Sequence, residues 1–213
     1  MSRFDLVVWD CDGVLVDSER LAVRTESQIL TELGWPLTEA DVVELFVGRS
    51  SRYMQTVIEE KLGRPIDWKD QFERRVQEVC ERELEPVEGV IDALDAIDIT
   101  SCVASSSSHA MLAFKLGLTG LAERFAGRIY SADDVAHGKP DPAVFLFAAS
   151  AMGVAPRRCA VIEDSASGVD AGIAAGMKVF AFTGGVTSAE QLEREGVTLF
   201  GSMRELPALL RGS

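Results

Sequence analysis

The sequence predicts an α/β protein, a mostly parallel sheet with helices on both faces and a block of helices inserted after the first strand. Three observations predict it. Short apolar runs without polar alternation recur along the chain and end in polar loops, as strands buried on both faces do. From about residue 99 onward these runs alternate with helix-length patterns, the order that builds a parallel sheet. Residues 18–85 break the alternation and read as helix throughout.

The first strand covers residues 4–9, interrupted only by Asp5, and runs into Asp10-Cys11-Asp12-Gly13, a tight loop. Helices are predicted over 18–33, 38–46, 51–62 and 68–83, punctuated by Gly34, Gly48, Gly63 and Pro65, with Asp67 as N-cap of the last. The chain rejoins the sheet near residues 86–89. A second strand, 99–104, stops at the serines Ser105 to Ser108, and a third apolar run, 159–162, stops at Glu163-Asp164-Ser165. Shorter strands are read at 128–131, 177–182 and 198–200. Helices follow at 107–117, 141–152, 167–175 and 188–195, with a closing helix over 202–210. Gly168 and Gly172 share one face of their helix, which predicts a close helix–sheet approach, and Gly176 ends that helix.

The chain has 213 residues and a hydrophobic fraction of 47%, enough for a sizeable core. Its 21 Lys and Arg stand against 34 Asp and Glu, a formal charge of −13. That balance argues against a nucleic-acid binder, which needs a basic footprint, and disfavours an anionic membrane surface. No apolar run approaches the roughly 20 residues that span a bilayer, and no secretory leader is expected. Cys11, Cys80, Cys102 and Cys159 are scattered, without metal-type or disulfide spacing, so a reduced cytoplasmic location is expected.

In an open α/β sheet, ligands bind beyond the carboxyl ends of the strands. Polar groups gather at that edge: Asp10 and Asp12, Ser105 and Ser106, Glu163 and Asp164, with Lys139 in the loop His137-Gly138-Lys139-Pro140. Four carboxylates together need a cation, and oxygen-only donors favour a hard ion, Mg²⁺ for a phosphate substrate, with Mn²⁺ the alternative. An Asp carboxylate can attack a phosphoryl group, and a second acid two residues on can give a proton to the leaving oxygen and then activate water. Ser105 offers a hydroxyl, Lys139 a point charge, and the amides of Cys11, Asp12 and Ser106 further donors.

The stretch Asp10-Cys11-Asp12-Gly13-Val14-Leu15-Val16-Asp17-Ser18 resembles the first motif of the haloacid-dehalogenase-like hydrolases. Val103-Ala104-Ser105 resembles the second, Gly138-Lys139-Pro140 the third and Ile162-Glu163-Asp164-Ser165 the fourth, in order along the chain. The resemblance implies a Rossmann-like catalytic core, residues 1–17 and 86–213, and a four-helix cap, residues 18–85. It implies Asp10 as phosphorylated nucleophile and Asp12 as general acid and base. Mg²⁺ would be held by Asp10, the Asp12 carbonyl and Asp164, with Glu163 a ligand or its support, while Ser105 and Lys139 bind the phosphoryl group. Within the small-cap branch the likeness is nearest to sugar-phosphate phosphatases, a group that includes 6-phosphogluconate phosphatase, and more distant to β-phosphoglucomutase.

The expected activity is Mg²⁺-dependent hydrolysis of a small phosphorylated metabolite, a sugar or sugar-acid phosphate, by a monomeric enzyme. The alternatives are a phosphosugar mutase, a dehalogenase and a non-catalytic phosphosugar-binding protein. Mutases of the branch carry a cap histidine after the first motif, whereas here the matching stretch is Glu19-Arg20-Leu21-Ala22. Arg49 is read as a contact to the organic part of the substrate or to a second anionic group, with Arg52 a further candidate. His137 is read as a loop residue, and Asp133 and Asp134 as structural.

Overall fold

Six strands, β1 (Leu6–Trp9), β2 (Thr100–Ser105), β3 (Ile129–Ser131), β4 (Cys159–Glu163), β5 (Lys178–Phe182) and β6 (Thr198–Phe200), form one sheet. Every pairing is parallel, and the order is β3-β2-β1-β4-β5-β6. This computed structural model describes residues 3–212, apart from the side chain of Lys69. The order reverses at β1, which lies between β2 and β4, so the edge beyond β1 and β4 is the topological switch point. The fold is the Rossmann-like α/β architecture that the sequence predicts.

The strands are apolar without alternation because both sheet faces are covered. Leu6 and Val8 point to one face and Val7 and Trp9 to the other, and all four are 0% exposed. On the first face they meet Val144, Phe145, Ala148 and Ala149 of one helix and Val169 and Ala171 of another. Each fully buried aliphatic side chain of this kind contributes about 1.5–3 kcal/mol. Those helices belong to a series: α1 (Ser18–Glu32), α2 (Glu39–Phe46), α3 (Ser51–Leu62), α4 (Trp68–Glu83), α5 (Val90–Ala96), α6 (His109–Leu118), α7 (Ala143–Ala151), α8 (Ala166–Ala174), α9 (Ala189–Leu192) and α10 (Leu206–Gly212). Gly172 of α8 explains how closely that helix approaches the sheet, since a Cβ there would stand 2.7 Å from Val179 Cγ2.

The chain divides into two compact units, one of residues 1–17 and 85–213 holding the sheet, the other Ser18–Leu84 holding α1 to α4. In the helical unit α1 packs on α2 and α4. Thr38 and Asp41 form a capping box at the start of α2, Ser50 caps α3, and Gly63 ends α3 at φ 66°. Trp35 meets Phe46 edge-on at 6.1 Å, and Lys61 Nζ lies 5.6 Å from the Trp35 ring centroid.

Three local expectations are corrected, and one helix is added. Asp67 stands at the N-cap of α4 but its side chain makes no cap hydrogen bond, its backbone being at φ −91°, ψ 72°. The helix read from 107 begins at His109, because the Ser108 side chain accepts from Met111 N–H and so ends the loop there. The helix read over 188–195 closes after Leu192, Ser188 and Gln191 forming a capping box on a single turn. Helix α5 was not expected, since seven residues of VIDALDA hold too few turns to show a period.

Candidate active site

The first loop is folded by its own backbone. Leu15 and Val16 N–H both donate to Cys11 O, at 2.9 and 3.0 Å, and Gly13 N–H donates to Val16 O at 2.9 Å. Val14, Leu15 and Val16 are buried beneath it, which leaves Asp10 and Asp12 at the sheet edge. Asp10 N–H donates to Ile162 O at 3.0 Å, prolonging the β1–β4 pairing by one residue. Gly13 is needed twice over: its φ is +71°, and a Cβ there would stand 1.9 Å from Asp164 Oδ2. Gly185 also borders that carboxylate, at 3.2 Å from its own Cβ position.

Lys139 is the cation at the centre. Its three N–H groups reach Asp10 Oδ1 at 2.5 Å, Glu163 Oε1 at 2.7 Å and Ala104 O at 3.1 Å, and its Nζ lies 4.5 Å from the Phe145 ring centroid. Burial alone would lower the lysine, yet the Asp10 and Glu163 carboxylates hold it above the ordinary lysine range. Burial pushes the Asp10 carboxyl up to about 7, with Glu163 and Asp12 adding to the rise and Lys139 opposing it. The short contact makes Asp10 and Lys139 one coupled ion pair in which the lysine keeps its proton.

Glu163 has both oxygens engaged. Oε1 faces Lys139, and Oε2 accepts from Asp164 N–H at 2.9 Å, Ser165 N–H at 2.8 Å and Ser165 Oγ at 2.9 Å. Of the two readings of Glu163, metal ligand or support, this geometry supports the second. The Asp12 side chain likewise faces donors: Lys115 Nζ is 2.5 Å from Oδ1, and Ser107 Oγ donates to Oδ2 at 2.7 Å. Among the described residues no three Asp, Glu, His or Cys side chains gather as a ready metal cage. Of the four acids expected at this edge, three are paired with lysines, Asp10 and Glu163 with Lys139 and Asp12 with Lys115.

The donors that remain suit a hard cation. Asp164 is drawn against the Gly13 loop where a side chain would otherwise stand, and all donors on offer are oxygens. Mg²⁺ retains several waters and uses one or two carboxylates, which matches Asp10 and Asp164 with a main-chain carbonyl. Formal charge agrees: Asp10, Asp12 and Glu163 pair with Lys115 and Lys139 and Asp164 stands beside Gly13, so with all six groups ionised two negative charges are left for one divalent ion to balance.

The other candidates fall in different places. Ser105 is buried at the end of β2, its Oγ accepting from Ser107 N–H at 3.1 Å, whereas Ser106 is exposed in the next loop. Arg49 belongs to the helical unit, its guanidinium carbon 5.5 Å from the Tyr53 ring centroid; Arg52 and His137 are exposed. Asp133 and Asp134 are structural here: Asp133 accepts from His109 N–H, and Asp134 accepts from Ser131 N–H and pairs with the His109 ring, each at 2.9 Å. Ser107 and Lys115 were missed. The available signal was a lone lysine on the apolar face of α6, between Leu112 and Leu116.

Over residues 4–176 the chain matches the family model for the haloacid dehalogenase-like hydrolases. It is 31% identical to 6-phosphogluconate phosphatase of Escherichia coli (strain K12), over 98% of this chain and 96% of the relative. A haloacid dehalogenase-like protein of unknown function from Agrobacterium tumefaciens superposes with a TM-score of 0.91 at 37% identity, covering 98% of each chain. A hydrolase from Deinococcus radiodurans R1, solved with bound phosphate and sodium, superposes at 0.85 with 31% identity, covering 99% of this chain and 96% of that one.

Proposed function

The chain belongs to the haloacid dehalogenase-like hydrolases and is a phosphoric monoester hydrolase, and we propose that it hydrolyses a sugar or sugar-acid phosphate with Mg²⁺ through a phosphorylated Asp10. The observation that carries this reading is the buried Lys139 bridge between Asp10 and Glu163, 2.5 and 2.7 Å long, at the switch point of the sheet. Such a bridge fixes one oxygen of Asp10 and turns the other toward a reacting phosphorus.

In the proposed reaction the Asp10 oxygen not bonded to Lys139 attacks phosphorus and the ester P–O bond breaks. The departing alcohol oxygen takes a proton from Asp12. Water then attacks the acyl phosphate, Asp12 takes its proton, and Asp10 is regenerated with release of inorganic phosphate. The Ser105 hydroxyl holds a phosphoryl oxygen, the Lys139 charge offsets phosphoryl charge from beside Asp10, and Glu163 holds Lys139 in place. Mg²⁺, bound by Asp10, Asp164 and the Asp12 carbonyl, would neutralise phosphoryl charge. The substrate class rests on the full-length similarity to a sugar-acid phosphatase. Arg49 and Ser106 are proposed as contacts to substrate, and the helical unit as the cap that selects it.

The test is phosphate release from a panel of sugar, sugar-acid, polyol and glycolate phosphates, with Mg²⁺ and with a chelator. The reading predicts release from sugar or sugar-acid phosphates, loss with the chelator, and a fall of at least about 10³-fold in Asp10→Asn. Interconversion of isomers without phosphate release, or native turnover in Asp10→Asn, contradicts it.

A further inference from the structure

Helix α6 buries Leu112, Lys115 and Leu116 along one stripe, so a charge sits where an apolar residue would pack. A buried ammonium is costly unless it is paired, and this one is paired with Asp12 at 2.5 Å. The other Asp12 oxygen accepts from Ser107 Oγ at 2.7 Å. Ser107 is itself fixed, its N–H donating to Ser105 Oγ at 3.1 Å and its carbonyl accepting from Ser131 Oγ at 2.7 Å. Residues 107 and 115 thus hold the Asp12 carboxylate at both oxygens, while the first loop holds its backbone separately.

We propose that Lys115 is a positioning residue for the acid–base step: it fixes the rotamer of Asp12 so that one carboxylate geometry serves both halves of the reaction. The inference rests on the assignment of Asp12 as general acid and base. A carboxylate has about four acceptor sites on its two oxygens, so the bonds to Lys115 and Ser107 leave room for a leaving oxygen or a water. Lys115 touches neither substrate nor metal in this scheme and acts only through Asp12. Without the ion pair the aspartate side chain has other staggered rotamers open to it, and misplacement by about 1 Å costs roughly 10²-fold.

The experiment is a double-mutant cycle on the full chain with Mg²⁺ and the best substrate of the panel, using Lys115→Met, Asp12→Asn and the two combined, with Lys115→Arg as the conservative variant. Lys115→Met keeps length and apolar bulk, and a thermal melt of each variant reports folding. The expected result is a kcat lower by roughly 10²-fold in Lys115→Met with KM within about twofold, and partial recovery in Lys115→Arg. In the Asp12→Asn background Lys115→Met causes no further loss, since the group it positions is gone. A Lys115→Met enzyme near native kcat, or an equal loss in both backgrounds, overturns the inference while leaving the assignment of Asp12 intact if Asp12→Asn alone is crippled. Native turnover in Asp12→Asn alone defeats that assignment and the inference with it.

Discussion

Two acidic pairs end neighbouring parallel strands and are held in opposite ways. After β4, Glu163 is held by its own loop, through the amides of Asp164 and Ser165 and the Ser165 hydroxyl, all within two residues. After β1, Asp10 and Asp12 are held by lysines 129 and 103 residues away. The first arrangement forms wherever the local turn forms. The second exists only once the whole sheet and α6 are assembled, so Asp10 and Asp12 acquire their geometry from the tertiary fold. Lys139 joins the two, since it binds one acid of each pair.

Removing that joint has the largest expected effect. Lys139→Met leaves Asp10 and Glu163 buried and mutually repelling, and it is expected to lower turnover by at least about 10³-fold and stability by roughly 3–5 kcal/mol. Phosphate release and urea unfolding check the two parts. Next is Gly168→Ala, at a helix position where alanine ordinarily gains about 1 kcal/mol over glycine. Here the new Cβ would stand 1.7 Å from Glu163 Oε1, so the variant is expected to lose stability and to displace Lys139, with turnover falling roughly tenfold or more.

Ser165→Ala probes the local arrangement alone. It removes one of three donors to Glu163 Oε2 and the N-cap bond to Gly168 N–H, and a loss of about 1 kcal/mol is expected with turnover reduced only a few-fold.

Glu26 of α1 sharpens the comparison from the side of an acid whose charged neighbour is another acid. Burial raises its carboxyl from 4.5 to about 7, and Glu19 adds to the rise. The folded state then binds the proton more tightly than the unfolded chain, so this group destabilises the fold progressively as pH rises from about 4.5 through 7. Glu26→Gln is accordingly expected to match the native protein near pH 5 and to exceed it by roughly 2 kcal/mol at pH 8, measured by chemical unfolding.

The same contrast explains what could be read from the sequence. Features encoded by neighbouring residues were legible: the apolar strands ending at Asp10, Ser105 and Glu163, the helical block between residues 18 and 85, and the close approach of Gly172 to the sheet. Lys139 was legible because a glycine and a proline flank it in a loop that resembles a known motif. The grip of Ser107 and Lys115 on Asp12 was not, since it spans 95 and 103 residues and nothing beside Lys115 marks its partner. The same holds for Glu163, whose residue type suits both a metal ligand and a lysine anchor, and only its hydrogen bonds separate the two. The short α5 escaped because seven residues show too little period, and α9 was read too long because its end is set by capping and tertiary packing.

The central claim is that Asp10 carries the phosphoryl group. Acid quenching during turnover of a phosphate-labelled substrate, followed by peptide mapping, tests it directly. The account predicts acid-stable, hydroxylamine-sensitive label on the peptide containing Asp10, absent from Asp10→Asn. Active turnover with no label on the protein at any quench time, or label on a different residue, would contradict it.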